Sequence, residues 1–265
     1  MVTKSYKVRS VTSSPNIEGI SEEKYNGIID GTTAIGDLSD ANVDTIKDSL
    51  FYLNKNLTEV IFPNNLISIG NKAFCGTRLT SVVIPNTVIS IGEDAFSYNS
   101  ALLSVDLGSS VKTIGKNAFS QCQKLKTLNM ENVKLEIVPE YFAAFTAIES
   151  PVIIPDTVKT IGRSAFDSCK FRSLKLSNSL EVIGDHAFHR SGTPSTGYKY
   201  INDLVLPKSL ISIGKFAFED ALAMVHYEGT MAEFSNILLG ESWAYLENQT
   251  KIQVVCSDGT LEVDR

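Results

Sequence analysis

Along most of the chain, apolar residues fall into short alternating segments. Examples are Leu79-x-x-Val82-x-Ile84, Leu102-x-x-Val105-x-Leu107, Leu125-x-x-Leu128-x-Met130 and Phe171-x-x-Leu174-x-Leu176. A period of two buries one face of a strand and leaves the other free. Proline often follows, at Pro63, Pro85, Pro155 and Pro207, where it stops the strand and turns the chain. A second phrase comes after each segment. It reads Ile69-Gly70-x-x-Ala73-Phe74 and returns at Ile91-Gly92, Ile114-Gly115, Ile161-Gly162, Ile183-Gly184 and Ile213-Gly214, each time followed by x-x-Ala-Phe. Altered copies stand at Ile46-Lys47-x-x-Leu50-Phe51 and Ile137-Val138-x-x-Tyr141-Phe142. The isoleucines of the eight copies are 23, 22, 23, 23, 24, 22 and 30 residues apart.

One such unit cannot bury its own Leu, Ile and Phe. Stacked units merge those side chains into a continuous core, so the period predicts a solenoid. One parallel strand per unit is expected, with the phenylalanines from Phe74 to Phe218 forming a buried ladder. The glycine after each Ile predicts either a positive φ or a close backbone approach.

The pattern L-x-x-V-x-I-P-x-x-V-x-x-I-G-x-x-A-F resembles the BspA-like leucine-rich repeats of bacterial and protist surface proteins, over roughly residues 43–228. The resemblance implies an α/β leucine-rich-repeat solenoid. Its expected shape is a curved right-handed horseshoe, with a parallel β-sheet on the concave face and loops and short helical turns on the convex face. It also implies adhesion or other protein binding, at the cell surface or after secretion. Two departures stand out: Val138-Pro139 replaces the usual glycine, and the last interval is 30 residues. The first predicts a local distortion and the second an insertion.

Residues 1–42 are polar and lack clean periodicity, and are expected to form an N-terminal cap. Residues 229–265 read as a C-terminal cap of helix plus hairpin. Thr230 and Glu233 have capping-box spacing ahead of an apolar face of Met231, Phe234, Ile237 and Leu238. Asp258-Gly259 lies between two apolar runs as a tight hairpin turn.

Hydrophobic residues make up 43% of the chain and charged residues 20%, ordinary values for a packed protein. A net charge of −6 without a basic run speaks against nucleic acid as partner. No stretch approaches the ~18–20 apolar residues of a membrane span, and the first 30 residues hold no signal-like apolar run. Either the chain stays in the cytoplasm, or a leader was removed.

Chemistry-bearing motifs are sparse. There is no nucleophile elbow, phosphate loop or dinucleotide fingerprint, so no enzyme and no cofactor are expected. His186 and His189 form an H-x-x-H spacing beside Asp185, for which exposed turn residues are the ordinary explanation, and no metal is expected. Cys75, Cys122, Cys169 and Cys256 include no C-x-x-C pair. Cys122 and Cys169 fall at one repeat position two units apart, with Phe145 at that position between them. Strands stacked ~4.8 Å apart would put these two thiols ~10 Å apart, too far for a disulfide. Free thiols are expected.

A partner, expected to be a protein and to meet a monomer, would face the outward strand residues. One row runs Ile61, Val83, Asp106, Asn129, Ile153, Lys175, Val205 and His226. The row before it runs Glu59, Ser81, Ser104, Thr127, Pro151, Ser173, Asp203 and Met224. Exposed Ile61 and Val83 fit an interaction patch, and equally the β-propensity of branched residues. Residues 190–200, rich in Gly, Pro, Ser and Thr, predict a projecting loop flanked by Arg190, Tyr198 and Tyr200. These are residue types found at binding hot spots, though solenoids also tolerate insertions that have no role. A purely structural module of a larger envelope or phage-type assembly remains the alternative.

Overall fold

The computed structural model describes residues 21–29, 34–171, 173–191, 201, 204–222, 224–246 and 250–264. Tyr198, Tyr200 and Asp203, with the rest of the expected loop after Ser191 and most of residues 1–33, lie outside them. The described chain winds into a parallel β-solenoid of about eight turns with little helix.

Each turn contributes two short strands rather than the expected one. The alternating segments form a first wall. It includes Ile35–Asp37 with Glu59–Ile61, Ser81–Val83 with Ser104–Asp106 and Thr127–Asn129, Val152–Ile153 with Leu174–Lys175, and Val205–Leu206 with Met224–Tyr227. A second wall is built from two-residue strands ending on the repeat Ile. One sheet joins Thr45–Ile46, Ser68–Ile69, Ser90–Ile91 and Thr113–Ile114. Another joins Ile137–Val138, Thr160–Ile161, Val182–Ile183, Ser212–Ile213 and Leu238–Leu239. Two residues are too few to display alternation, so hydrophobic pattern alone does not reveal this wall.

A third side closes each turn without strand or helix. Two residues four apart take the left-handed conformation, for example Asp94 and Tyr98, Asn117 and Gln121, and Ser164 and Ser168, with φ between 51° and 62°. This conformation costs an L-residue roughly 1–2 kcal/mol. In return, alternate amides aim along the stack: those of Asp94, Phe96 and Tyr98 donate to the carbonyls of Lys116, Ala118 and Ser120. All three sides of the solenoid are therefore hydrogen-bonded from turn to turn, which satisfies backbone that a loop would leave open.

The repeat glycine serves close approach, not a positive φ. Among the described glycines, only Gly76 and Gly259 have positive φ. A Cβ on Gly115 would lie 2.3 Å from the amide nitrogen of Glu93 and 2.6 Å from its Cα. Bare backbone at this point lets Gly115 N–H reach the carbonyl of Ile91 at 2.8 Å.

Phenylalanines fill the interior as expected, with Phe74, Phe96, Phe119, Phe166, Phe188 and Phe218 fully buried. Rings of Phe74, Phe96 and Phe119 stack nearly parallel at 5.2 and 5.4 Å, and those of Phe166, Phe188 and Phe218 at 5.6 and 5.0 Å. Between the two stacks the fifth turn is shifted by one residue from the expected alignment. Val138, not Ile137, pairs with Ile161, and Ile137 is 58% exposed. Phe119 N–H bonds the carbonyl of Phe142, and Ala143 N–H that of Ala165. Phe142 thus stands where other turns have Ala, and Ala143 where they have Phe. Reaching the core from the neighbouring position, the Phe142 ring meets Phe119 and Phe166 edge-on.

Pro139 takes the glycine place in this turn. Lacking an N–H, it cannot make the bond that Gly115 makes, and the second wall is interrupted between Thr113–Ile114 and Ile137–Val138. The first wall is also interrupted at this turn, between Thr127–Asn129 and Val152–Ile153. Ser150 Oγ lies at that break, buried without a hydrogen-bond partner.

The shift also corrects the cysteine column. Thr146, not Phe145, stands between Cys122 and Cys169, and Phe145 is 41% exposed. The column is a buried polar ladder of Thr77, Asn99, Cys122, Thr146, Cys169 and Ser191. Asn99 Nδ2 donates to the carbonyls of Phe74 and Phe96, Cys122 to that of Phe96, Cys169 to that of Ala143, and Ser191 to that of Phe166. These side chains cap carbonyls that the turn geometry leaves inside the stack. All four cysteines are free and buried. Burial pushes the thiols of Cys122 and Cys169 up to about 12.

At the N-terminal side, Ile35–Asp37 pairs in parallel with Glu59–Ile61, so the first wall begins before residue 43. At the other end Thr230 caps a helix, Met231–Phe234, with both halves of a capping box formed by Glu233. Leu238–Leu239 continues the second wall, and Leu239-Gly240-x-x-Trp243-Ala244 behaves as one more copy of the phrase: Phe218 N–H bonds the carbonyl of Trp243. Lys251–Cys256 joins the first wall in parallel, and Gly259–Asp264 folds back antiparallel to end it.

Candidate binding surface

The first wall presents the outward rows in register. Ser81, Ser104 and Thr127 align across three strands, and so do Val83, Asp106 and Asn129. Asn129 Nδ2 donates to Asp106 Oδ1 at 2.9 Å, so these two side chains hold each other on the surface. Ile61 and Val83 are 42% and 66% exposed, and Glu59, Ser81 and Lys175 are also exposed. Ile61 aligns with Asp37. Hydrogen bonds from the Ser39 hydroxyl and amide, then from Lys24, hold the Asp37 carboxyl down to about 2. Ile153 and His226 are only partly exposed. The apolar members of the row are therefore split by Asp106 and Asn129 rather than joined in one patch. Arg190 is exposed but belongs to the turn side, where its Nε lies 4.0 Å from Asp220.

One concavity lies on these rows. Leu174–Lys175 and Val205–Leu206 belong to different sheets. Where the two strands do not pair, a cleft of about 380 Å³ opens, lined by Ser173, Lys175, Asn178, Val205, Pro207 and Glu228 among others. Its size falls within the ~300–1,000 Å³ range of ligand pockets, and it offers a cation, a carboxylate and an amide. Ser173, Lys175 and Val205 were in the outward rows read from sequence. Asn178 and Glu228 were not, since pattern reading does not show that a missing strand pairing gathers them.

Family-model comparison matches a BspA type leucine-rich repeat region in six copies, over residues 4–100, 35–149 and 135–220. The chain belongs to the BspA-type leucine-rich-repeat family. Among curated proteins no sequence matches it. A leucine-rich repeat protein from Bacteroides ovatus shares the fold at 19% identity and a TM-score of 0.69, over 86% of this chain and 57% of that one. The chain thus spans little more than half the length of that relative. A leucine rich cell surface protein from Faecalibacterium prausnitzii is also similar, at 19% identity over 74% of this chain and 79% of that one, with a TM-score of 0.31. The pneumococcal vaccine antigen PcpA matches at 16% identity over 84% of this chain and 68% of that one, with a TM-score of 0.34. Members of this family are commonly surface proteins.

In this BspA-type chain, no described helix is long and apolar enough to cross a membrane. Among the described residues, one group could hold a metal ion: His186, His189 and Glu219. The two histidines are half-buried rather than exposed as their turn position led us to expect. Glu219 reaches them from the next turn, 30 residues further along the chain than His189.

Proposed function

We propose that this chain is a non-enzymatic, protein-binding module of a surface-type protein, acting as a monomer. The solenoid curves as a right-handed horseshoe with the first wall on its concave side. The partner lies across the rows from Glu59 and Ile61 to Lys175 and anchors in the cleft between Lys175 and Val205. The insertion bearing Arg190, Tyr198 and Tyr200 adds contacts from outside. The observation that carries this reading is that cleft. It lies at one of the breaks in the first wall, places opposite charges beside Val205, and leaves the strand edges of Leu174–Lys175 and Val205–Leu206 unpaired with each other. Unpaired strand edges receive extended peptides through backbone hydrogen bonds, with neighbouring side chains supplying selectivity.

A peptide library displayed on phage, selected against the immobilised chain, tests the reading directly. Peptides enriched on the wild type should lose at least tenfold in affinity for the K175E and V205D variants, both checked for folding by circular dichroism. Peptides that bind all three chains alike would place the binding surface elsewhere.

A further inference from the structure

We propose that His186, His189 and Glu219 form a binding site for a divalent transition metal ion of the zinc class, with Asp167 positioning His189. These residues come from three consecutive turns. Asp167, His189 and Glu219 occupy one column, directly after the repeat Phe, where earlier turns carry Cys75, Ser97, Ser120 and Ala144. Carboxylate and imidazole side chains enter the column only at these three turns. His189 sits between two carboxylates: its Nδ1 is 3.1 Å from Asp167 Oδ1 and its Nε2 is 3.1 Å from Glu219 Oε2. All three side chains are largely shielded from solvent. Ser168 Oγ donates to the same Asp167 oxygen at 2.7 Å, which fixes that carboxylate.

His186 completes the group. It takes one of the left-handed positions, with φ 55°, and its ring stacks on Phe216 at 5.2 Å and meets His189 edge-on at 5.4 Å. One ligand atom from each of His186, His189 and Glu219 falls within a 4.8 Å span.

The chemistry matches the geometry. Zinc binds imidazole nitrogen and carboxylate oxygen at ~2.0–2.2 Å in a tetrahedron, which sets ligand atoms ~3.3–3.5 Å apart. His189 Nε2 and Glu219 Oε2 are already near that spacing. His186 needs to move inward by only ~1.5 Å to reach it, within reach of side-chain rotation. A neutral His189 with its proton on Nδ1 would donate to Asp167 and turn the Nε2 lone pair to the metal. This carboxylate–histidine–metal relay is how outer carboxylates orient ligating imidazoles. Two imidazoles and one carboxylate favour zinc, copper or nickel over calcium or magnesium, which prefer oxygen ligands. Water would fill the fourth position. The competing arrangement is an imidazolium that simply bridges the two carboxylates; it needs no metal and predicts none bound.

The chelator-treated full chain is titrated with Zn²⁺ by calorimetry and with Co²⁺ by visible absorption. One equivalent should bind in the micromolar range or tighter. Cobalt should give the intense bands of a four-coordinate ion, and Zn²⁺ should raise the melting temperature. H186N, which keeps size and polarity, and E219Q should each weaken binding at least tenfold. D167N should weaken it about 10–100-fold while keeping one equivalent. The metal-free melting curve of each variant establishes that it folds. Binding no tighter than millimolar, a pale six-coordinate cobalt spectrum, or affinity unchanged in both H186N and E219Q would each overturn the proposal.

Discussion

Replacing Gly115 by alanine tests the turn-to-turn contact on which the solenoid rests. Exposed glycines changed to alanine commonly gain about 0.4–1 kcal/mol, because the unfolded chain loses freedom. Here the added Cβ would sit 2.3 Å from Glu93 N and 2.6 Å from both Glu93 Cα and Gly92 C. Every one of these atoms is backbone, so no side chain can swing aside. Restoring an ordinary contact of about 3.4 Å moves one turn away from the next by roughly 1 Å and stretches the 2.8 Å bond from Gly115 N–H to Ile91 O beyond bonding range. One or two lost hydrogen bonds cost about 0.5–1.5 kcal/mol each. Overpacking adds ~1–3 kcal/mol. Less the entropic gain, G115A should be destabilised by about 2–4 kcal/mol, a fall in melting temperature of roughly 4–16 °C. Circular dichroism melts of the two proteins measure it. A melting temperature within a degree of wild type, or above it, would refute the close stacking.

Other outcomes follow from the interior. F119A removes a fully buried ring from the end of a parallel stack and should cost about 3–5 kcal/mol in urea unfolding, with the loss spreading to both neighbouring turns. The thiols make stability fall at alkaline pH. Cys122 and Cys169 rise from 9.0 to about 12 in the folded chain, so below pH 9 both states keep their protons, and between about 9 and 12 the unfolded chain ionises first. At pH 10.5 each thiol should have withdrawn roughly 2 kcal/mol of stability, and the C122A/C169A double variant should lose less than wild type between pH 8 and 10.5. In native protein these two thiols should ignore Ellman's reagent, and all four should react after denaturation without reductant. A silent thiol in the denatured chain would reveal a missed bridge.

Much of the stack was legible because six units repeat Ile-Gly-x-x-Ala-Phe without change, and each letter has one physical task. What stayed hidden was whatever the repeat does not spell with hydrophobicity. Ser68–Ile69 and its counterparts are strands by hydrogen bonding alone. Left-handed Asp94, Asn117 and Ser164 look like ordinary polar turn residues, and only the ladder they feed explains the cost. In the fifth turn, adjacent Ile137 and Val138 offered two alignments. The inverted Phe142-Ala143 pair made the wrong one look better, and that error put Phe145 in a buried column that belongs to Thr146. The outward rows were legible wherever strands pair, but the cleft at Lys175 depends on a pairing that fails. Glu219 joins His189 across an inserted segment that hides their adjacency.

Amide hydrogen exchange tests the central claim, a stack of short turns bonded to one another on every side. The amides of Gly70, Gly92, Gly115, Gly162, Gly184, Gly214 and Gly240 each bond a carbonyl of the preceding turn. Protection should therefore recur once per turn at these glycines, together with the strand amides around Val82, Val105 and Leu128, and should drop at the fifth turn, where Pro139 has no amide to protect. Slow exchange confined to one continuous block, or absent from the repeat glycines, would contradict the account.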